Sequence, residues 1–234
     1  MNAVDPSPAP ATARAVRVSP LRSLLQREGW QLDTVDGVEV SGTSTTLEAL
    51  ADLSTCDRLG LKGPGAVAWL QACGLALPAQ PNRLLARDDG LIVARYGESE
   101  FALADFRGAV SPALDGLRAA LAQARPARCY SVPRADGQAA FGLAGEAVLP
   151  ALAALCPADL RAQAFGPGDV LQTLCAGIGA QLWNLSYDGV TRVALLCDAS
   201  LARHQWAALQ AAVVAAGGQA GAQGAWFAAR PPAA

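Results

Sequence analysis

One four-residue pattern occurs twice in this 234-residue chain and constrains its fold more than any other feature. Gly60-Leu61-Lys62-Gly63 returns 82 residues later as Gly142-Leu143-Ala144-Gly145, and the same offset pairs Leu70 with Leu152. Each copy follows a short strand and opens an Ala-rich run ending near a cysteine, Cys73 or Cys156. A long fixed offset means that one supersecondary unit has been used twice.

In the first copy Pro64 stands at the opening turn of a helix, Ala66, Trp69, Leu70 and Cys73 form its apolar stripe, and Gly74 stops it. In the second copy Pro150 falls where a helix starting at Gly145 already needs that backbone N–H, so this helix begins late or kinks. Downstream of the first helix the pattern predicts strands over 84–87 and 91–96 joined at Asp88-Asp89-Gly90, and a third over 100–104. A helix over 112–124 follows, capped by Ser111, opened by Pro112 and buried along Leu114, Leu117 and Leu121. The second half repeats that order, with strands near 169–174, 178–185 and 192–197 and a helix over 199–216 bounded by Asp198 and Gly217. Helical spacing of Ala202, Trp206, Leu209 and Val213 places Trp206 in the core. Ahead of the repeat, the sequence predicts a helix over 21–30, a strand over 37–40, a turn over 41–45, and a helix over 46–53 from Leu47, Leu50 and Leu53.

Each half therefore reads β-α-β-β-β-α, an α+β fold whose two related layers share a sheet interface, with the break near 127–138. The expected organisation is a disordered Pro/Ala tail over 1–17, a first α+β half over 18–130, a second over 131–228 and a C-terminal tail over 229–234.

Composition removes several function classes. With 18 basic against 20 acidic residues and 6% aromatics, the chain offers neither a basic footprint nor stacking platforms, so nucleic acid and membrane surfaces are not expected partners. The Ala-rich stretch over 207–222 is broken by Gln210, Gly217, Gly218, Gln219 and Gly221, short of the roughly 20 apolar residues of a membrane span. The first fifteen residues lack the basic start and apolar block of a signal peptide, so a cytoplasmic protein is expected. Cys56, Cys73, Cys129, Cys156, Cys175 and Cys197 show no short metal spacing and read as buried free thiols.

The residues that could carry chemistry point to none. Gly60, Gly63 and Gly65, like Gly177 and Gly179, do not spell G-x-G-x-x-G and read as tight turns. His204 is the sole histidine, stands beside Arg203 one turn into the last helix, and has no G-x-S-x-G partner. Asp52, Asp57, Asp88, Asp89, Glu98, Glu100, Asp105 and Asp188 read as solvated surface, with Asp88 and Asp89 forming a turn. No catalytic, cofactor-binding or metal-ligating residue is assigned.

Longer segments carry a resemblance. They are Cys56-Asp57-Arg58-Leu59-Gly60-Leu61-Lys62-Gly63-Pro64-Gly65, Pro81-Asn82-Arg83 and Gly97-Glu98-Ser99-Glu100-Phe101-Ala102-Leu103 in the first half. The second half adds Phe141-Gly142-Leu143-Ala144-Gly145, Leu155-Cys156-Pro157-Ala158-Asp159-Leu160-Arg161, and Phe165-Gly166-Pro167-Gly168 leading to Gln172-Thr173. In this order, across about 35–218, they resemble the gamma subunit of heterotetrameric sarcosine oxidase, a small relative of the glycine-cleavage T-protein with the aminomethyltransferase folate-binding fold.

The resemblance implies membership of a complex that oxidatively demethylates sarcosine to glycine, passing the one-carbon unit to tetrahydrofolate and electrons to oxygen. It also implies that NAD and folate sit on the alpha subunit, the flavins FAD and FMN on beta, and zinc on delta, leaving gamma a cofactor-free partner that is not catalytic by itself. Two departures from the T-protein agree. Where folate-binding aminomethyltransferases place an aspartate after a glycine and two aliphatics, Gly90-Leu91-Ile92 is followed by Val93 and Ala94, and the C-terminal barrel is missing. The Lys-Gly-Cys-Tyr type of signature carried by the folate-dependent iron–sulfur repair relatives is absent. Alternative readings are a stand-alone folate-binding or one-carbon transferase-like protein with a cavity between the halves, or the equivalent subunit of an N-methylglutamate or other N-methyl amine dehydrogenase. The subunit reading expects an exposed apolar patch, for which Trp30, Trp69 and Trp226 are candidate anchors, although core packing is their commoner fate.

Overall fold

The structure, a computed structural model, describes residues 17–35, 37–41, 50–107, 110–124 and 126–220. Its elements in chain order are α1 (Arg22–Arg27), β1 (Leu32–Val35), β2 (Val38–Ser41), β3 (Leu50–Asp52), β4 (Asp57–Lys62), α2 (Ala66–Ala72), β5 (Arg83–Ala86), β6 (Ile92–Gly97), β7 (Glu100–Asp105) and α3 (Pro112–Gln123). They continue with β8 (Tyr130–Val132), α4 (Arg134–Gly137), β9 (Gln138–Ala144), α5 (Val148–Leu155), β10 (Val170–Cys175), β11 (Ile178–Asn184), β12 (Arg192–Asp198) and α6 (Ala202–Ala215).

The repeat is real in space. β4-α2-β5-β6-β7-α3 and β9-α5-β10-β11-β12-α6 run in the same order, giving two five-stranded sheets ordered β5-β6-β7-β4-β8 and β10-β11-β12-β9-β3. Every strand pair in them is antiparallel. Each sheet is completed by an edge strand from just ahead of the other half's repeat: β3 precedes β4 yet pairs with β9, and β8 precedes β9 yet pairs with β4. The halves thus exchange their leading strands.

The sheets pack face to face over a core that includes Leu84, Ile92, Tyr96 and Phe106 from one side and Ala140, Trp183, Leu185 and Leu196 from the other. Alternation along each strand sends the remaining apolar residues outward beneath the helices. Leu61, Val93, Phe101 and Leu103 meet the side chains of α2 and α3, while Phe141, Leu143, Val193 and Leu195 meet those of α5 and α6. The order is helix, sheet, sheet, helix. Among the described residues no barrel closes, and no helix is long and apolar enough to cross a membrane.

Several expectations need correction. The helix over 46–53 is not formed: Leu50–Asp52 is a fully buried strand, and residues 46–49 lie outside the described residues, as do 42–45 of the expected turn. Three apolar residues in eight cannot distinguish a helical stripe from a buried strand. Ser111 stands ahead of α3 with extended backbone but makes no cap; its Oγ is buried without a partner. The last helix opens with a 3-10 turn over Ala199–Leu201 and becomes α-helical at Ala202, with Asp198 accepting from the Ser200 N–H as expected. α5 begins late, at Val148, so Pro150 lies in the first turn, where no amide donor is needed. The expected tails over 1–16 and 229–234 lie outside the described residues, while Arg17 already bridges to Val38.

Gly63 has φ +126, and an added Cβ would stand 2.2 Å from the Arg128 carbonyl oxygen; its repeat mate Gly145 has φ +93 but open space around it. Gly63→Ala is therefore expected to cost about 2 kcal/mol and Gly145→Ala about 1 kcal/mol, a difference that urea denaturation resolves.

Candidate functional site

The strand exchange creates two crossover segments, 53–56 between β3 and β4 and 133–137 between β8 and β9, and Arg58 ties them together. Its side chain is almost fully buried and donates to carbonyls of both segments: Leu53 (3.0 Å), Ser54 (3.0 Å), Arg134 (3.4 Å) and Ala135 (3.2 Å), and also to Gln138 at 2.7 Å. Burial lowers the Arg58 pKa from its ordinary value, with Cys56, Asp52 and Asp57 opposing that shift. Beside it, Arg118 of α3 grips Asp57 with both terminal nitrogens, at 2.5 and 2.7 Å, and Arg17 approaches the same carboxylate at 3.4 Å. The three arginines border a cleft of about 350 Å³ that is also walled by Leu59, Leu121 and Val132. Because Asp57 holds two of the guanidiniums and backbone carbonyls hold Arg58, this cleft is a structural joint.

A second polar cluster closes one end of the inter-sheet core. The Trp183 indole N–H donates to the Tyr96 hydroxyl at 3.0 Å, and the rings meet edge-on. Arg134 lies over the Tyr96 ring and donates to Glu100 at 2.5 Å, while Lys62 pairs with the same carboxylate at 2.9 Å. Burial pushes the Tyr96 phenol well up, so it stays protonated. Burial also opposes ionisation of Glu100, but Lys62 and Arg134 outweigh it and hold the carboxyl below its usual range. A neutral phenol and a paired carboxylate leave no group poised as an acid or base.

The sequence candidates disperse. Gly60, Gly63 and Gly65 form no cradle, because Arg134, Arg128 and Ala127 fill the space where their Cβ atoms would be. His204 is exposed on α6 with Nε2 2.9 Å from the Ala176 carbonyl. Among the described residues no three His, Cys, Asp or Glu side chains gather as a metal site. Asp89 bonds Arg87 and the Leu91 amide in the expected turn, exposed Glu98 bonds Arg95, and Asp188 occupies a left-handed turn position. The surface reading fails for three carboxylates: Asp52, Asp57 and Asp105 are buried. Asp57 and Asp105 even stand opposite one another in the β4–β7 ladder, each neutralised by its own arginine, Arg118 and Arg107. Val93 and Ala94, where an aminomethyltransferase aspartate is expected, are fully buried in apolar core.

Trp30 and Trp69 pack partly buried against the helix-side cores of the second and first halves, and Trp226 lies outside the described residues. Five of the cysteines are buried, as expected, and burial pushes the Cys197 thiol up to about 12. Cys73 is the exception and is exposed. Native protein is therefore expected to show one thiol accessible to a maleimide, lost in Cys73→Ser, the rest reacting only on unfolding. Sequence reasoning missed Arg58, Arg118 and Arg134 altogether. The available signal was Arg58 at the head of the apolar run 59–61, a charge placed early in a strand that is otherwise buried.

No protein-family model and no curated protein matches the chain. Among solved structures it is similar to a chain of the heterotetrameric sarcosine oxidase from Corynebacterium sp. U-96 in complex with pyrrole 2-carboxylate, with 26% identity, a TM-score of 0.63, and coverage of 84% of this chain and 94% of that one. The chain is a relative of the sarcosine oxidase family. It is also similar to the glycine cleavage system aminomethyltransferase T from Bartonella henselae, at 18% identity and a TM-score of 0.59, covering 83% of this chain but 57% of that protein. The second likeness is one of fold alone.

Proposed function

We propose that this chain is a non-catalytic, gamma-type subunit of a heterotetrameric sarcosine oxidase-like complex that oxidatively demethylates sarcosine to glycine with transfer of the one-carbon unit to tetrahydrofolate. The observation that carries the reading is coverage: the similarity takes in 94% of one chain of a heterotetrameric enzyme, a whole subunit rather than a shared domain. The apolar residues Val93 and Ala94 support it, since the position that would need a carboxylate for folate chemistry is core. In this reading FAD, FMN, NAD and tetrahydrofolate belong to the other subunits, alpha, beta and delta are the partners, and the complex is cytoplasmic. Exposed Tyr130 on β8 and Leu174 on β10 lie on outer strands of the two sheets, where apolar side chains beside an open strand edge suit a protein interface.

The test is affinity capture of the tagged chain from its own cells, followed by native mass spectrometry and a flavin absorbance spectrum. Co-elution of larger subunits carrying flavin is expected. A colourless chain that captures no flavoprotein overturns the reading, and tight calorimetric binding of tetrahydrofolate by that lone chain would replace it with a stand-alone folate protein.

A further inference from the structure

We propose that Arg192, the first residue of β12, is the receptor of a binding site for a small carboxylate. The argument starts from position. Along β12, Val193, Leu195 and Cys197 point to the helices, while Ala194 and Leu196 point to the facing sheet. Arg192 shares the second face, lying opposite Ala144 of β9, and its carbonyl accepts from the Leu185 N–H at 2.8 Å. Ala144 and Leu185 both belong to the inter-sheet core, so the guanidinium continues an apolar face.

Arg192 is 7% exposed, and its Nε and Nη1 are buried with no hydrogen-bond partner. Among the described residues it joins no ion pair, whereas Arg58, the other buried arginine, has its donors met by five carbonyls. A buried cation with orphan donors is costly, and such groups in native proteins call for an explanation. A guanidinium offers two forks, Nε with Nη2 and Nη1 with Nη2, and each fork here contains one orphan donor.

The surroundings select the ligand. The Tyr187 ring covers one face of the guanidinium, 4.1 Å from Cζ to the ring centroid, and Nε and Nη1 are enclosed, so a planar acceptor reaches the guanidinium edges only once that cover lifts. Asp188 lies within electrostatic reach of Arg192, so a monoanion is tolerated better than a phosphate dianion. Tyr187 and Val190 bracket a two-residue turn, Asp188 and Gly189, both at positive φ, and the ring moves off the guanidinium with this hairpin tip to admit the ligand.

The inference does not depend on the subunit reading, because it concerns the isolated chain. The full chain, labelled with 15N, is titrated with acetate while its arginine Nε–Hε signals are followed, with chloride at matched ionic strength as control; Arg192→Lys assigns the Arg192 signal. A saturable shift of that signal with acetate and not with chloride is expected. Arg192→Gln should abolish the acetate-dependent shifts of the Ala144 and Leu185 amides, Arg192→Lys should weaken binding by about tenfold or more, and Tyr187→Ala should tighten it severalfold by freeing the approach. Equal movement with chloride, tighter binding of inorganic phosphate, or no movement in both the native chain and Tyr187→Ala overturns the proposal. So does a shift seen only after assembly with partner subunits, which would place the carboxylate on a protein. Tyr187→Ala retains the arginine and its strand, so the test survives if the Arg192 variants fail to fold.

Discussion

Arg58→Ala is expected to lose about 3–5 kcal/mol of unfolding free energy, read as a lower urea midpoint by circular dichroism. The side chain supplies donors to carbonyls of both crossover segments and of Gln138, and its removal leaves several of them buried without partners. Arg58→Lys should be nearly as damaging, since an ammonium on one stem has three donors and cannot span the fan of acceptors that the planar guanidinium reaches. Charge adds a pH dependence. Asp52 is fully buried, accepts from the Ser19 hydroxyl and from the Ser54 amide at 2.9 Å, and has its pKa raised by burial with Arg58 among the groups that oppose the rise. A carboxyl whose folded pKa exceeds its unfolded one contributes stability below its ordinary pKa and loses it as pH climbs through the folded value. Without Arg58 that rise grows, so the deficit of Arg58→Ala should be smaller in mild acid than at neutral pH. A loss under about 1 kcal/mol, or a flat pH profile, would mean that water replaces the guanidinium at the joint.

The contrast between what could and could not be read in the sequence follows from the range of the interactions. Helices α2, α3, α5 and α6 and the hairpins at Gly90 and Gly177 are set by local periodicity and turn residues, and the repeat fixed their order twice. The strand exchange was not legible, because β3 and β8 have three residues each, too few to show a period, and their partners are remote: Leu50 pairs with Leu143 and Lys62 with Tyr130. Ser111 shows the limit of a local rule: its backbone adopts the extended conformation of a cap, yet its hydroxyl is buried without a partner.

For the polar residues the missing knowledge was burial. Asp57 and Asp105 are ordinary acids in the sequence, and only the β4–β7 register, together with Arg118 and Arg107, makes them a neutralised pair inside the fold. Arg192 was more accessible to reasoning than Arg58, because the alternation Arg192, Ala194, Leu196 already puts a charge beside two apolar residues on one face of the strand.

Trp183→Ala should cost about 3–5 kcal/mol, on the scale of other large-to-small changes in a packed core. Trp183 is fully buried, contacts Phe106 with a ring separation of 5.8 Å and Tyr96 at 6.2 Å, and so joins the second half's sheet to both ends of the first half's hairpin β6–β7. Trp183→Phe keeps an aromatic ring there but removes the donor to the Tyr96 hydroxyl, and about 1–2 kcal/mol is expected. A double-mutant cycle with Tyr96→Phe isolates that hydrogen bond: in Tyr96→Phe the buried indole N–H has lost its acceptor, so the two single costs should exceed the cost of the pair. The alanine variant also tests whether the halves are one cooperative unit. Since β3 and β8 interlock the sheets, unfolding should remain a single transition at a lower urea midpoint. Two separate transitions would instead make the inter-sheet aromatic cluster, and not the exchanged strands, the element that holds the halves together.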